Sequence, residues 1–354
     1  MKRLLAMALA AAMMISMVAC GSNADSGDGD VEGDDGNEPV VTATYKTGLG
    51  MDVEYTVADA TEDKDGSVQI DTTIAVVTFD AEGTIVAVSL DVAQQKGTFD
   101  TTGAVTGDID LRTKVEKKED YNMKGASPIG KELYEQLSFF EEWMIGKNVN
   151  DVLGMPTGEA NGHTEVPTDE DLTAGTTISV GAYLRAIEKA WKNSEETAGE
   201  PVKTGLGVVI EVSKSDATED KDGQIQINTE VVGASFDAEG KVVAATVDVA
   251  QQSAKFDATG KVTAEPDVRT KVEKGDDYGM RGISEIGKEV GEQYEALGEW
   301  MEGKTAAEIT GMPTFDRGDG NHTNVPDVEE LKASVTITVG AYLEALEEAW
   351  EMAK

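Results

Sequence analysis

Val68-Gln69-Ile70-Asp71-Thr72-Thr73-Ile74-Ala75-Val76-Val77-Thr78 runs into Phe79-Asp80-Ala81-Glu82-Gly83, and Thr84-Ile85-Val86-Ala87-Val88-Ser89-Leu90-Asp91-Val92 follows. Both arms alternate and are rich in β-branched residues. The residues between them contain a glycine, so the stretch reads as an antiparallel hairpin. The arrangement returns as Ile225 to Ser235 and Lys241 to Val249. Finding the hairpin twice makes the chain a tandem duplication, and that decides the architecture.

Other matches extend the repeat in both directions. Lys46-Thr47-Gly48-Leu49-Gly50 recurs as Lys203 to Gly207, Asp59 to Gly66 as Asp216 to Gly223, and Arg112 to Glu116 as Arg269 to Glu273. Gly154-Met155-Pro156-Thr157 recurs as Gly311 to Thr314, an offset of 157 residues; Val166-Pro167 recurs as Val325-Pro326, an offset of 159. Two residues were therefore gained between Thr314 and His322, as a surface loop tolerates. Units this long are domains, not solenoid repeats. The expected fold is α+β, with two tandem homologous domains, each an antiparallel sheet with packed helices. Domain 1 spans 46–192 and domain 2 spans 202–354, with a polar linker over 193–201. Ser127-Pro128 is expected to start a helix, with Leu133, Leu137, Phe140 and Met144 at helical spacing and Trp143 and Trp300 as core anchors. A short helix should end at Gly154-Met155-Pro156. A last helix carries Tyr183, Ile187 and Trp191, repeated as Tyr342, Leu346 and Trp350; that stripe is read as packing against the sheet.

The chain has 354 residues and a formal charge of −38. So acidic a surface repels phosphate backbones, which argues against nucleic acid as a partner. Cys20 is the only cysteine. One chain can then form no internal disulfide, CxxC redox pair or cysteine-held cluster. Electron transfer would need a cofactor without cysteine ligands, such as a flavin.

Lys2 and Arg3 precede an apolar run from Leu4 to Val18, which reads as a secretion signal over 1–19. Met17-Val18-Ala19-Cys20-Gly21 resembles a bacterial lipobox, which implies diacylglyceryl transfer to the Cys20 thiol and cleavage before it. Residues 20–45 read as an acidic, disordered tether. The protein is therefore expected on the outer face of the cell membrane, held by its lipid alone.

Asp171-Leu172-Thr173-Ala174-Gly175-Thr176-Thr177-Ile178-Ser179-Val180-Gly181 precedes the last helix of domain 1, and Glu330-Leu331-Lys332-Ala333-Ser334-Val335-Thr336-Ile337-Thr338-Val339-Gly340 precedes that of domain 2. A helix N-terminus favours phosphate, and the backbone amides of 178–182 could cradle one. Alternatively Thr173 and Ser179 act as caps and the threonines lie in a strand-like lead-in. The segment resembles the modification motif of the FMN-binding domain family: Asp, two variable residues, Ser or Thr, Gly, Ala and Thr ahead of a helix. Asp171, Gly175 and Thr177 match it, while Ala174 replaces the Ser or Thr and Thr176 the Ala; in the second copy Glu330, Ser334 and Val335 depart and Thr336 holds. The layout of 46–354 is similar to the two-domain flavin-bearing lipoproteins of Gram-positive extracellular electron transfer. The resemblance implies FMN esterified through its phosphate to Thr177 and Thr336 by a flavin transferase. It also implies a membrane quinol-linked redox partner and extracellular electron acceptors.

His163 and His322 are the only histidines and occupy matching loops. Either could donate to a flavin ring or relay a proton, or be a plain loop residue. Asp63-Lys64-Asp65-Gly66 hints at a calcium loop, but the full spacing fails and a turn is expected. Asp316-Arg317-Gly318-Asp319-Gly320 lies in the insertion and reads as a loop. No nucleophile elbow, P-loop, GxGxxG or HExxH pattern occurs, so a carrier is expected, not an enzyme. The alternative is a non-redox surface lipoprotein that binds a solute or peptide.

Overall fold

The computed structural model describes residues 44–320 and 322–354. The signal over 1–19, Cys20 and all but the end of the 20–45 tether lie outside the described residues. Repeat 1 contributes strands β1 (Tyr45–Ala58), β2 (Gly66–Asp80) and β3 (Ile85–Phe99). Repeat 2 contributes β4 (Lys203–Ser215), β5 (Gly223–Phe236) and β6 (Val242–Phe256). Each trio is an antiparallel meander with its middle strand paired on both sides. The α+β class and the antiparallel sheets agree with the sequence reading. The first strand of each repeat carries the Lys-Thr-Gly-Leu-Gly motif, which sequence patterning did not mark as strand.

Four helices of similar length cover the sheets: α1 (Leu133–Met144) and α2 (Gly181–Lys192) in repeat 1, α3 (Val290–Met301) and α4 (Gly340–Met352) in repeat 2. Ser127-Pro128 does not start α1. Gly130 there has φ +64°, a left-handed conformation that no helix continues through. The helix begins after Glu132, whose carboxylate joins a reciprocal cap with Glu135. In β2 one face (Val68, Ile70, Ile74, Val76) meets the other repeat, and the other face (Ala75, Val77, Phe79) meets α1 and α2. Burial on both faces explains why residues 74–79 read as nearly continuous apolar chain. The layers run helices, sheet, sheet, helices.

The sequence left open whether the repeats touch. They share a core of Leu49, Met51, Ile70, Ile74 and Phe99 against Leu206, Val208, Ile227, Val231 and Phe256. Phe99 and Phe256 stack with centroids 4.0 Å apart and planes 1° from parallel. Buried hydroxyls of Thr47, Thr78, Thr204 and Ser235 form a ring at 2.7–3.0 Å where the two sheets meet. Thr78→Val leaves three neighbours short of a partner and is expected to cost about 1–3 kcal/mol, measurable by denaturant titration. The turn at Asp63-Lys64-Asp65-Gly66 is a tight turn closed between Thr61 and Lys64. It and its twin act as a reciprocal clasp. Ala60 donates to the Gly260 carbonyl at 2.7 Å and Ala217 to the Gly103 carbonyl at 2.8 Å. Asp59 and Asp216 accept the Val262 and Val105 amides, each at 2.8 Å. The 193–201 segment adds Glu195–Glu196 to the edge of β1.

Trp143 and Trp300 are half-buried instead of central, each capped by a lysine ammonium, from Lys147 at 4.6 Å and Lys304 at 4.4 Å. The stripe on the last helix packs inward at Tyr183, Ile187, Tyr342 and Leu346, which are buried; Trp191 is half-buried and Trp350 exposed, lying edge-on to Phe79 and Phe236.

Candidate functional site

The two threonines sit in equivalent irregular segments, four residues before the first residue of α2 and α4. The segments are not strands, so the strand-like lead-in is set aside. They do not begin the helices either, and Ser179 is no cap: its hydroxyl donates to the Thr164 carbonyl at 2.6 Å. Within the proposed amide cradle, Val180 N–H is already taken by the Glu165 carbonyl at 2.9 Å.

What holds each threonine is a buried glutamine that the sequence reading missed. Gln136 Oε1 accepts both the Thr177 amide at 2.9 Å and its hydroxyl at 3.2 Å. Gln293 Oε1 does the same for Thr336 at 2.9 and 3.3 Å. Both glutamines are fully buried on the inner faces of α1 and α3. The available signal was a glutamine one position before Leu137 and Tyr294, inside the apolar stripe. A glutamine there needs a partner.

Gly175 has a packing role. A Cβ on it would enter the Phe139 ring. In repeat 2 the facing pair is Ser334 and Ala296, so a larger residue opposes a smaller one. That accounts for one departure from the motif without touching the threonine. Asp171 and Glu330 are exposed on short helical turns, Glu170–Thr173 and Glu329–Leu331, and neither side chain reaches its threonine through a hydrogen bond. His163 is exposed in the strand His163–Pro167. His322 is half-buried, with Nδ1 2.6 Å from Asp319 Oδ2.

The two repeats differ most around these segments. In repeat 1 the Glu165 carboxylate lies against Gly181 at the start of α2. Arg185 bridges Glu165 at 3.6 Å, Asp52 at 2.9 Å and Glu54 at 2.7 Å. The positive helix end thus already faces an anion belonging to the chain. In repeat 2 the counterparts are Asn324, Glu344 and Val209, and this bridge has no equivalent. The insertion instead brings Arg317 to Thr336. Its guanidinium donates to the Thr336 carbonyl at 2.9 Å and approaches Glu285 at 3.4 Å. Arg317, Lys332, Phe315 and Thr336 line one cavity of about 500 Å³. On the other side of the 336–340 segment a second cavity of about 570 Å³ is lined by Glu230, Lys271, Tyr294, His322, Thr338 and Tyr342. Glu285 and Asp316 also line the first of these cavities, and Lys332 is paired with Glu329 at 2.7 Å, so repeat 2 brings an arginine to its threonine but in mixed-charge surroundings.

A third cavity, about 700 Å³, lies between the repeats, with Asp91, Glu116, Glu141 and Glu348 on its wall. Burial pushes the Asp91 and Glu348 carboxyls up to about 7. Glu348 stands where repeat 1 has Lys189. Lys189 pairs with Glu273 at 2.7 Å, whereas Glu348 meets the like charge of Glu116. Among the described residues no group of three or more His, Cys, Asp and Glu side chains is arranged to hold a metal ion. Comparison with family models, with curated proteins and with solved structures returns no match.

Proposed function

We propose that the protein is a carrier of covalently bound flavin, with Thr336 as the principal attachment point and Thr177 as the lesser one. The observation that carries this reading is the placement of Thr336. Its hydroxyl is oriented by a buried glutamine on one side, and a cavity holding Arg317 and Lys332 opens beside it. A planar guanidinium matches a phosphate in both charge and geometry. The cavities flanking 336–340 fall in the usual size range for cofactor sites. A hydroxyl held by Gln293 with the Arg317 guanidinium beside it supports the FMN that the sequence resemblance implies.

Attachment by a flavin transferase forms the Thr336 Oγ1–phosphorus bond as a phosphoanhydride in the donor breaks, and the hydroxyl proton is lost. Gln293 fixes the hydroxyl, and Arg317 and Lys332 would exchange Glu285 and Glu329 for the phosphate to offset its charge. Bound flavin supplies one- and two-electron chemistry that no side chain provides. Lipid on Cys20 and the acidic tether would hold the carrier outside the membrane, between a quinol-linked donor and extracellular acceptors. Among the described residues no helix is long and apolar enough to cross a membrane. The inter-repeat cavity favours a second reading, a lipoprotein that binds a solute or peptide without redox chemistry.

The two separate on a denaturing gel. After co-expression with a flavin transferase, fluorescence should stay on the protein band. Thr336→Ala should remove most of it and Thr336→Ala/Thr177→Ala all of it. A dark band for the unaltered chain would favour the binding reading.

A further inference from the structure

Glu230 projects from β5 into the layer between the sheet and α3 and α4. It is 8% exposed and makes no hydrogen bond or ion pair among the described residues. A charged side chain buried to that degree normally has a partner. Lys271 lines the same cavity, with its ammonium 5.5 Å from the Tyr278 ring centroid and no carboxylate within ion-pair distance. The two opposite charges share one cavity without touching. Tyr294 and Tyr342, packed edge to face at 5.3 Å with their hydroxyls 2.9 Å apart, supply an aromatic wall. The counterparts of Glu230 and Tyr294 in repeat 1 are Thr73 and Leu137, and there Arg185 bridges Asp52 and Glu165.

We propose that the repeat 2 cavity holds a planar heterocycle by an imide edge, with Glu230 accepting from the ring N–H and Lys271 donating to a flanking carbonyl. An edge that presents a donor beside acceptors matches an acceptor and a donor separated by a gap. A ring lacking the donor would leave the carboxylate without a partner in the complex, which gives such a site its selectivity. Glu211 and Glu344 also line the cavity, so an organic cation is the competitor that the test must include. Identifying the ring as the flavin isoalloxazine rests on the carrier reading; the site itself does not need Thr336. Burial, with Glu211 nearby, pushes the Glu230 carboxyl up to about 7. Burial lowers Lys271.

The test uses the full mature chain made without a flavin transferase, titrated into riboflavin, which has no phosphate to esterify. Saturable quenching of riboflavin fluorescence is expected. Glu230→Ala should weaken it at least tenfold. Lumichrome should compete, and its N-methylated form, lacking the imide N–H, should compete at least tenfold less well. That comparison needs no altered protein, so a misfolded variant cannot mask the answer. Absence of saturable quenching, equal competition by the methylated ring, or displacement by 1,4-diaminobutane would overturn the proposal. Flavin bound covalently with Glu230→Ala and the methylated ring both without effect sinks this inference alone. Ring binding without any covalent label sinks the Thr336 attachment alone.

Discussion

Gly205→Ala/Gly207→Ala is expected to leave too little stability for the chain to stay folded at 37 °C. On β4 these glycines let α4 lie almost on the strand backbone. A Cβ at Gly205 would fall against the Ala349 carbonyl oxygen, and one at Gly207 against that of Ala345. Both obstacles are backbone atoms of a helix, so neither can rotate away. The helix must move off the strand, and Val335, Val339, Tyr342 and Leu346 leave the core with it. Overpacking in a core costs about 1–3 kcal/mol per site, occasionally more. Two such sites on one contact cost about 2–6 kcal/mol, which reaches the lower end of the roughly 5–15 kcal/mol that holds an ordinary domain folded. Gly48 and Gly50 meet Ala190 and Ala186 of α2 in the same way, so Gly48→Ala/Gly50→Ala should behave alike. Circular dichroism melting of the purified variants decides the matter. Melting within a few degrees of the unaltered protein would show that the close approach is not required.

Melting temperature is expected to peak near pH 4 and to fall as the pH is raised to about 7. Asp91, Glu230 and Glu348 are pushed up to about 7 and Asp248 to about 6, burial being the main cause in each. The ordinary carboxyl value in an unfolded chain is about 4. Between about 4 and 7 the folded state therefore holds more protons than the unfolded one, and stability falls with rising pH across that window. For the fully buried Asp91, three units correspond to at most about 4 kcal/mol. The charge of −38 adds self-repulsion of the same sign. Below about pH 4 the trend reverses. Asp110 and Asp267 are held below the usual range mainly by their hydrogen bonds to Arg112 and Arg269, and lose that contribution when protonated. Glu348→Lys, which restores the pairing seen at Lys189, should flatten the decline above pH 5. A flat profile for the unaltered protein would mean that these carboxyls are solvated.

The candidate site was partly legible. Thr177 and Thr336 could be found because a short motif announces them. Gln136 and Gln293 could not be tied to them, since each pair is more than 40 positions apart along the chain. Ranking the repeats by motif favoured Thr177. Ranking by surroundings favours Thr336, because Arg317 arrives from an insertion that reads as an ordinary loop. Glu230 is one acid among 68 acidic residues in the chain, and only its burial without a partner sets it apart. Ser127-Pro128 shows the limit of local signals: a good start is overruled three residues later by Gly130.

The amino-acid order alone determined the duplication, the antiparallel hairpins, the inward stripe of the last helices and the location of the threonine segments. These follow from periodicity and turn chemistry, which act over a few residues. The tertiary structure decided that the repeats share one core, that a glycine pair seats each closing helix, and that repeat 2 is open where repeat 1 is bridged by Arg185. Those outcomes depend on which side chains meet across separations from about twenty residues, as for Glu165 and Arg185, to more than a hundred, as for Asp52 and Arg185. A single exchange at a contact, Glu165 for Asn324 or Arg185 for Glu344, changes the sign of charge or the space there without changing any local pattern.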